Sequence, residues 1–295
     1  MGCFLHTLIQ KRGDAFMKRL EDDQLRAVAL ACGVLLMTGW FTFTTARMDV
    51  QSQMADSDIT RPNVPVLMYH HILPEDAITG LFADNNAVIS LERFQSDIRL
   101  LKANGYETIS LRQLNDFVRD GAEIPAKSVV ITFDDGYLSN KIYAMPVLQE
   151  AGYTAVIFAL TGWMEETPQP FRTDALQYLS WPEIKEMGRV FQFASHTDNL
   201  HHLSWNGKGA MTTASKEDAA ADLQRSVHKL HGTVYFSYPY GHYNEKTRDV
   251  LLKQGIELAF TVNPASVYAG DDPLALGRWD MYQYRLEEIL PGIAK

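Results

Sequence analysis

Short apolar segments alternate with amphipathic segments from residue 64 onward, and this alternation restricts the possible folds more than any other feature of the chain. The predicted strands are 64–69, 107–109, 128–133, 155–160, 191–195, 235–238 and 258–262. The predicted helices are 90–105, 111–119, 143–151, 182–187, 216–230 and 244–255, and 207–215 is predicted to be a surface loop. Strands and helices in this order predict an α/β domain, either a barrel or a doubly wound sheet.

The composition supports a large folded domain and excludes some functions. With 295 residues and 46% hydrophobic content, the chain can bury a substantial core. Its net charge of −9 argues against a nucleic-acid-binding protein, because phosphate backbones attract basic surfaces. Both cysteines, Cys3 and Cys32, precede residue 47, so the main domain has neither a disulfide nor a thiol that could act as nucleophile or metal ligand.

Residues 27–45 form an apolar segment with the length of a membrane span. These 19 residues carry no charge and, as a helix, would cross a hydrocarbon core of about 30 Å. We expect an uncleaved signal anchor rather than a cleaved signal peptide, because the segment ends in Trp40 and Phe41 instead of a small-residue cleavage site. A lipoprotein signal at Cys32 is disfavoured because apolar residues continue well beyond it.

Basic residues before the apolar segment predict the orientation of the chain. Residues 1–26 are expected in the cytoplasm, 27–45 in the membrane, and 46–63 as a polar linker. The domain 64–295 is then expected outside the cytoplasm, in the periplasm or at the cell surface.

Polar side chains suited to catalysis follow four of the predicted strands, which is where an α/β barrel carries its active site. The sequences are VPVLMYHHI with His70 and His71, VVITFDDGY with Asp134 and Asp135, FQFASHTDNLHHLS with His196, His201 and His202, and VYFSYPYGHYN with Tyr238, Pro239 and Tyr240. Each motif alone also fits an ordinary turn or a structural histidine. Together they provide one carboxylate and two imidazoles for a catalytic zinc site, and a second carboxylate that can accept a proton from water.

The motifs TFDDG, SHTxxxH and YPYG, in this order and with VLMYHHI ahead of them, resemble the polysaccharide deacetylases of carbohydrate esterase family 4, the NodB-homology domain. The resemblance extends over 64–280 and includes the segments RFQSDIRLLKANGYETISLRQL and LSWPEIKEM. Within this family, the chain most resembles the enzymes that deacetylate poly-β-1,6-N-acetylglucosamine in biofilm matrices. The resemblance implies a distorted (β/α)7-type barrel.

The resemblance also implies roles for the motif residues. Asp134 corresponds to the general base, and Asp135, His196 and His201 correspond to the ligands of a divalent metal. The HTxxxH spacing of this group favours His201 over His202 as the third ligand. Zn²⁺ suits two histidines and one aspartate, although Co²⁺ or Ni²⁺ would bind to the same ligands. No other cofactor is expected.

Further residues are expected to contact the substrate or to complete the reaction. The backbone N–H of Tyr240 corresponds to a donor that stabilises the developing oxyanion in similar enzymes. His70 is the candidate acid that protonates the leaving amine, with His71 as the reserve. Tyr240, Pro239 and Trp205 are the candidate contacts to the sugar.

The chain departs from the family pattern at two places. The Leu-x-His element that many members carry near the C-terminus is absent, since no histidine follows His242. The arginine of the usual RxPY element is replaced by Ser237, so the group that orients the base is either missing or supplied from elsewhere. Arg278, in LGRWD, is a candidate for this role, and an ordinary surface arginine is the alternative.

These features predict a membrane-anchored, metal-dependent hydrolase that removes N-acetyl groups from N-acetylglucosamine-containing polysaccharide. Peptidoglycan or a chito-oligosaccharide is the alternative substrate, and a catalytically inert carbohydrate-binding protein is the alternative of another class. The presence of Asp134, Asp135, His196 and His201 favours an active enzyme. A polysaccharide synthase or export complex is a further expected partner, because nascent polymer would pass within reach of an anchored domain. Nucleic acid is not an expected partner.

Overall fold

The computed structural model describes residues 61–290 and Ile293. Within this part of the chain, no helix combines the length and the apolar character that a membrane span needs. The predicted cytoplasmic segment 1–26, the predicted span 27–45 and most of the predicted linker lie outside the described residues.

Strands and helices alternate along the described chain, as the sequence pattern predicts. The strands are β1 (Asn63–Val64), β2 (Val66–Tyr69), β3 (His71–Leu73), β4 (Val88–Ser90), β5 (Glu107–Thr108), β6 (Ser128–Asp135), β7 (Ala155–Ala159), β8 (Phe191–Ser195), β9 (Tyr235–Ser237), β10 (Leu258–Phe260), β11 (Val267–Tyr268) and β12 (Trp279–Asp280). The helices are α1 (Leu91–Ala103), α2 (Leu111–Asp120), α3 (Met145–Ala151), α4 (Trp181–Met187), α5 (Ala210–Thr213), α6 (Lys216–Lys229), α7 (Glu245–Lys253) and α8 (Leu286–Ile289). Every predicted strand is present, with ends that differ by at most two residues.

Two local predictions need correction or addition. The segment 207–215 was predicted as a loop, but it contains the short helix α5, whose Ala210 and Met211 are buried. The sequence pattern did not predict β3, β4, β11 or β12, because strands of two or three residues are too short to show a period of two.

The main sheet is parallel throughout, with the strand order β10, β9, β8, β7, β6, β2 and β12. The short strand β5 pairs with the beginning of β6. Because parallel neighbours need crossover connections, helices lie between the successive main-sheet strands β2, β6, β7, β8, β9 and β10. The result is an α/β fold with a curled parallel sheet of half-barrel form.

One short segment, Leu276–Asp280, contacts both ends of this sheet. Leu276 bridges in parallel to Phe260 of β10, whereas Trp279 and Asp280 pair in parallel with β2. Arg278 lies between these two contacts, and its backbone N–H donates to the carbonyl of Asn263. The segment thereby brings a residue far along the sequence to the interior of the curled sheet, where Arg278 is 0% exposed.

Alternate residues of β6 point to opposite sides of the sheet. Ile131 and Phe133 pack in a hydrophobic core with residues of α1 and α3. Val130 packs on the other side, in a second core that includes Phe158 of β7. Asp134 follows Val130 by four residues, so the same alternation directs its side chain to the interior side of the sheet.

Candidate active site

The carboxyl ends of four adjacent strands bring the candidate residues together. Asp135 at the end of β6 pairs with Ala159 of β7, and Ala159 pairs with Ser195 of β8. Ser195 pairs in turn with Phe236 of β9. The residues at the ends of these strands therefore lie side by side at one edge of the sheet, although they are far apart in the sequence.

Asp135 has a backbone conformation that is rare outside glycine, with a φ of 72°, and Gly136 follows with a φ of 79°. Aspartate tolerates the left-handed region better than most residues, but the conformation still costs on the order of 1–3 kcal/mol. The buried Oδ1 atom of Asp135 has no hydrogen-bond partner. Instead it lies 3.6 Å from Nε2 of His196 and 3.4 Å from Nε2 of His201.

His196 is oriented by a hydrogen bond on its far side. Its Nδ1 lies 2.8 Å from the backbone carbonyl oxygen of Ser237. Because a carbonyl can only accept, Nδ1 carries the hydrogen and Nε2 of the neutral ring presents a lone pair toward Asp135. Burial lowers the pKa of His196 to about 4, so the ring is neutral at pH 7.

Asp135, His196 and His201 have the geometry of a divalent-metal site. One ligand atom from each lies within 4.8 Å of the others. An orphaned carboxylate oxygen facing two imidazole nitrogens is an arrangement that a cation would satisfy, and the donor set is typical of catalytic zinc. These residues therefore fit the metal that the resemblance implies. His202, the alternative third ligand, is exposed and is not part of this cluster.

Asp134 is held by a buried arginine. The Nη1 and Nη2 atoms of Arg278 donate to Oδ1 and Oδ2 of Asp134, each at 2.7 Å. Arg278 also donates through Nε to the carbonyl of Thr261, and its guanidinium lies over the ring of Phe158 at 5.5 Å. Burial alone would raise the pKa of Asp134, but the charge and hydrogen bonds of Arg278, together with His196, hold that pKa well below its usual range.

Ser237 contacts both Asp134 and a residue of the cluster formed by Asp135, His196 and His201. Its hydroxyl lies 3.2 Å from Oδ2 of Asp134 and accepts a hydrogen bond of 2.8 Å from Nη2 of Arg278. Its carbonyl is the acceptor for His196. Ser237 stands where the family pattern has arginine, and the structure places the guanidinium of Arg278 against the same carboxylate. The alternative of a surface arginine at position 278 is wrong, because this side chain is fully buried.

A cavity of about 300 Å³ opens onto these groups. Its lining residues include His70, Asp134, Asp135, His196, His201 and Tyr240. The rest of the lining was not singled out by the sequence motifs; it includes the polar residues Asn86, Asp280 and Gln283 and the apolar residues Met68 and Val262. The predicted base, the predicted ligands, the candidate acid His70 and Tyr240 thus share one cavity.

Three other candidates lie outside the lining of this cavity. His71 is buried beside Ser139, Phe82 and Tyr137, with Nδ1 2.7 Å from the serine hydroxyl. Its neighbour His70 points elsewhere because successive side chains of an extended segment alternate in direction. Pro239 is buried, and Trp205 is 98% exposed on a tight hairpin in which Leu203 pairs with Gly209.

The YPYG sequence produces a tight turn at the edge of the cavity. Tyr240 has a φ of 58°, and its ring lies 4.6 Å from that of His201. The next residue must be glycine, because a Cβ on Gly241 would lie 2.9 Å from the backbone nitrogen of Val262. The turn therefore holds the ring of Tyr240 against His201.

Sequence reasoning did not identify two tyrosines near the cluster. Tyr137 stacks on Tyr178 at 5.3 Å, and Tyr178 contacts the ring of Trp163 edge to face. Trp163 lies in turn 6.1 Å from His201. The position of Tyr137, two residues after Asp135, was a signal in the sequence, but nothing in the sequence indicated that Tyr178 would pack against it.

Comparisons with known proteins identify relatives of this chain. The family model for polysaccharide deacetylase matches residues 121–259. The candidate polysaccharide deacetylase YxkH of Bacillus subtilis is 28% identical over 218 residues, which are 73% of this chain and 70% of that protein. Poly-β-1,6-N-acetyl-D-glucosamine N-deacetylase of Staphylococcus aureus is 30% identical over 191 residues. That match covers 62% of this chain but only 63% of the staphylococcal enzyme, less than two thirds of its length.

Solved structures show the same fold. IcaB from Ammonifex degensii matches with a TM-score of 0.65 and 27% identity, over 75% of this chain and 92% of that one. A de-N-acetylase from Aggregatibacter actinomycetemcomitans matches with a TM-score of 0.65 and 25% identity, over 77% of this chain and 98% of that one. Motifs, fold and relatives agree that the chain carries a polysaccharide deacetylase domain, which the family model places at residues 121–259.

Proposed function

We propose that the protein hydrolyses the N-acetyl groups of poly-β-1,6-N-acetylglucosamine in an exopolysaccharide or biofilm matrix, in a reaction that depends on a divalent metal, with Zn²⁺ as the first choice. The observation that carries this proposal is the position of Asp134 beside the cluster of Asp135, His196 and His201 in one open cavity. The name of the staphylococcal relatives supports the choice of polymer.

In this proposal Asp135, His196 and His201 hold the metal, and Asp134 accepts the proton of the water that attacks the acetamide carbonyl. When bound, the metal supplies a Lewis acid that polarises a carbonyl and lowers the pKa of water, so a carboxylate of low pKa suffices as proton acceptor. The Oδ2 atom of Asp134 is the natural acceptor, because it lies 3.9 Å from Nε2 of His196 and thus faces the cluster. Arg278 keeps this carboxylate ionised and fixed in orientation.

His70 supplies the proton that the departing amine needs when the carbon–nitrogen bond breaks. It lines the same cavity as Asp134 and lies close enough to lower the pKa of that carboxyl. Its backbone is fixed because Nδ2 of Asn140 donates to the carbonyl of His70 at 3.1 Å. Base and acid then act from two adjacent strands, β6 and the end of β2.

Tyr240 and Trp205 are the proposed contacts to substrate, with Tyr240 at the reacting sugar. Tyr240 lies in a left-handed turn and lines the cavity, so its backbone N–H is the proposed donor that would stabilise the oxyanion. The exposed ring of Trp205 would stack on a sugar further along the polymer. Buried Pro239 acts only by shaping the turn.

The test is acetate release from poly-β-1,6-N-acetylglucosamine, chitin oligomers and peptidoglycan, before and after treatment with a chelator. We expect release from the first polymer, loss after chelation and recovery with Zn²⁺. Release that survives complete metal removal would exclude the metal-dependent reaction. Release from peptidoglycan alone would exclude the proposed polymer while leaving the chemistry intact.

We also propose that residues 27–45 anchor the protein in a membrane, with the catalytic domain outside the cytoplasm and near the polysaccharide synthase or export complex. The uncharged apolar segment and the basic residues before it support this proposal. The full-length protein should remain in the membrane fraction after alkaline extraction, and added protease should reach the domain from the external side. Release of the protein by alkaline extraction would contradict the anchor.

A further inference from the structure

The loop between the two histidines of the metal cluster has an unfavourable backbone that must be held in place. Thr197, directly after His196, has a φ of 84° and is fully buried. Positive φ is rare for β-branched residues and costs on the order of 1–3 kcal/mol. The buried hydroxyl of Thr197 has no hydrogen-bond partner that would offset this cost. The backbone of Thr197 is hydrogen-bonded to Ser195 and Thr161, and the residues that follow add further stabilisation to the loop.

One carboxylate accepts hydrogen bonds from two consecutive backbone amides of this loop. The backbone N–H of Asp198 donates to Oδ1 of Asp222, and the backbone N–H of Asn199 donates to Oδ2, each at 2.8 Å. Asp222 lies on α6 and is 1% exposed. Hydrogen bonds to an ionised acceptor are among the stronger ones in proteins, so Asp222 fixes the path of the chain between His196 and His201.

The side chain of Asp198 anchors the same loop a second time. Its buried carboxylate accepts hydrogen bonds from Thr161 at 2.7 Å, from Lys229 at 2.7 Å and from Nε of Arg225 at 3.0 Å. Arg225 also reaches Asp222 at 3.3 Å. Arg225 and Lys229, both on α6, thus provide positive charge for the two buried carboxylates that hold the loop in place.

The other side of the loop is confined by the segment after β7. The amide of Gly162 donates to the carbonyl of Asp198 at 2.9 Å. A Cβ at Gly162 would lie 2.4 Å from that carbonyl oxygen and 2.4 Å from Oδ1 of Asn199, so only glycine fits there. The loop is therefore clamped between α6 and β7, and it has little freedom to change the separation of the two histidines.

From this arrangement we infer that Asp222 is a positioning residue that sets the metal affinity of the site by fixing the loop between His196 and His201. The inference rests on the proposed function in one respect only, that the cluster binds a divalent metal. Asp222 touches neither ligand and acts through the backbone of Asp198 and Asn199. Residues that hydrogen-bond directly to metal ligands typically change metal affinity about 10- to 100-fold when they are replaced, and we expect an effect in the same range for Asp222.

The test compares Asp222→Asn with Glu217→Gln, which makes the same change of acid to amide at an exposed position of α6. An asparagine offers one acceptor oxygen, so one of the two loop amides loses its partner. We expect the dissociation constant for Zn²⁺, measured by competition with a chromophoric chelator, to rise about 10- to 100-fold in Asp222→Asn and not in Glu217→Gln. The visible spectrum of the Co²⁺-loaded Asp222→Asn protein should also change, because the geometry of the ligands changes.

A second variant separates an effect on metal binding from a loss of folding. The head group of Arg225 is 52% exposed, so Arg225→Gln should fold normally and weaken Zn²⁺ binding in the same direction but by a smaller factor. If Asp222→Asn lowers the thermal unfolding midpoint of the metal-free protein but binds Zn²⁺ as tightly as the parent, Asp222 has only a structural role and the inference is wrong. Acetate release is measured separately. If the Zn²⁺ affinities of the parent and the variants rank as predicted but the parent releases no acetate, the proposed function is wrong and the inference about Asp222 stands.

Discussion

Arg278 and Asp134 form a buried ion pair in which both carboxylate oxygens accept a hydrogen bond of 2.7 Å from one guanidinium. The two residues are 144 positions apart in the sequence. The pair is central to the site because Asp134 is the proposed base. Among the described residues, Arg278 is the only cationic side chain that contacts Asp134.

Replacement of Arg278 by methionine should impair both stability and activity. The substitution leaves an uncompensated buried carboxylate, which typically costs about 3–5 kcal/mol in the free energy of unfolding. Without the cation, burial raises the pKa of Asp134, so the base becomes protonated at a higher pH than in the parent. The acidic limb of the activity profile should therefore move to higher pH. Urea unfolding and acetate release as a function of pH measure the two effects.

The double variant Arg278→Met with Asp134→Asn is the matched control for stability, because it removes the buried charge as well as its partner. It should recover much of the free energy of unfolding but no activity. Equal stability of the parent and Arg278→Met would show that the ion pair is not needed to hold the carboxylate.

His201 and His202 give a paired test of the metal cluster. His201→Ala removes a nitrogen that lies 3.4 Å from Asp135, whereas His202→Ala removes an exposed side chain outside the cluster. We expect bound zinc, measured by mass spectrometry of the metal content, to fall below one tenth of the parent value in His201→Ala and to stay near that value in His202→Ala. The reverse pattern would assign the third ligand to His202.

His70→Ala should reduce turnover without removing the metal. General acid catalysis contributes about 10²- to 10⁴-fold, and a loss of this size in kcat with unchanged zinc content is the expected result. His202→Ala serves here as a control that removes a histidine near the site. A parallel loss of zinc and activity in His70→Ala would instead make His70 a ligand.

Buried His71 should make the protein less stable as the pH falls below 6.5. Burial lowers the pKa of His71 to about 4, whereas the unfolded chain has the ordinary value near 6.5. Between these values the unfolded state binds more protons than the folded state, so stability rises with pH in this window and is lost as the pH falls through it. The effect amounts to at most about 3 kcal/mol.

The measurement for His71 is urea unfolding of chelator-treated protein at pH 7.5 and pH 5. In His71→Gln, which cannot titrate, the difference between the two pH values should shrink, while in His228→Gln, an exposed site on α6, it should not. An unchanged difference in His71→Gln would place the titrating group elsewhere.

The sequence was sufficient to predict the alternating elements because each long strand and helix carries its own hydrophobic period. It was also sufficient to place Asp134, Asp135 and His196 at the carboxyl ends of predicted strands. It left His70 and His71 as alternatives, although their alternation along an extended segment was a usable signal, since one of two neighbours must face away from the other. Asp222 could also have been noticed, because it shares the buried face of α6 with Ala219, Leu223 and Ser226.

Arg278 could not be assigned in the same way. Its position depends on the pairing of Trp279 and Asp280 with β2, and two residues of strand carry no periodic signal. A single arginine between a glycine and a tryptophan has no spacing relative to TFDDG that would indicate contact. Only the curl of the sheet, a tertiary feature, brings its guanidinium to Asp134.

The segment Leu276–Asp280 is also the last part of the site to be synthesised. The chain that emerges first from a ribosome contains TFDDG, SHTxxxH and YPYG, with the residues of β2, of β6 to β10 and of all three proposed metal ligands. Until the later segment docks against β2 and β10, however, Asp134 has no counter-charge. A nick or deletion within these five residues would therefore remove the counter-charge of Asp134 while leaving all three motifs unaltered. A search for the motifs alone would not detect this loss.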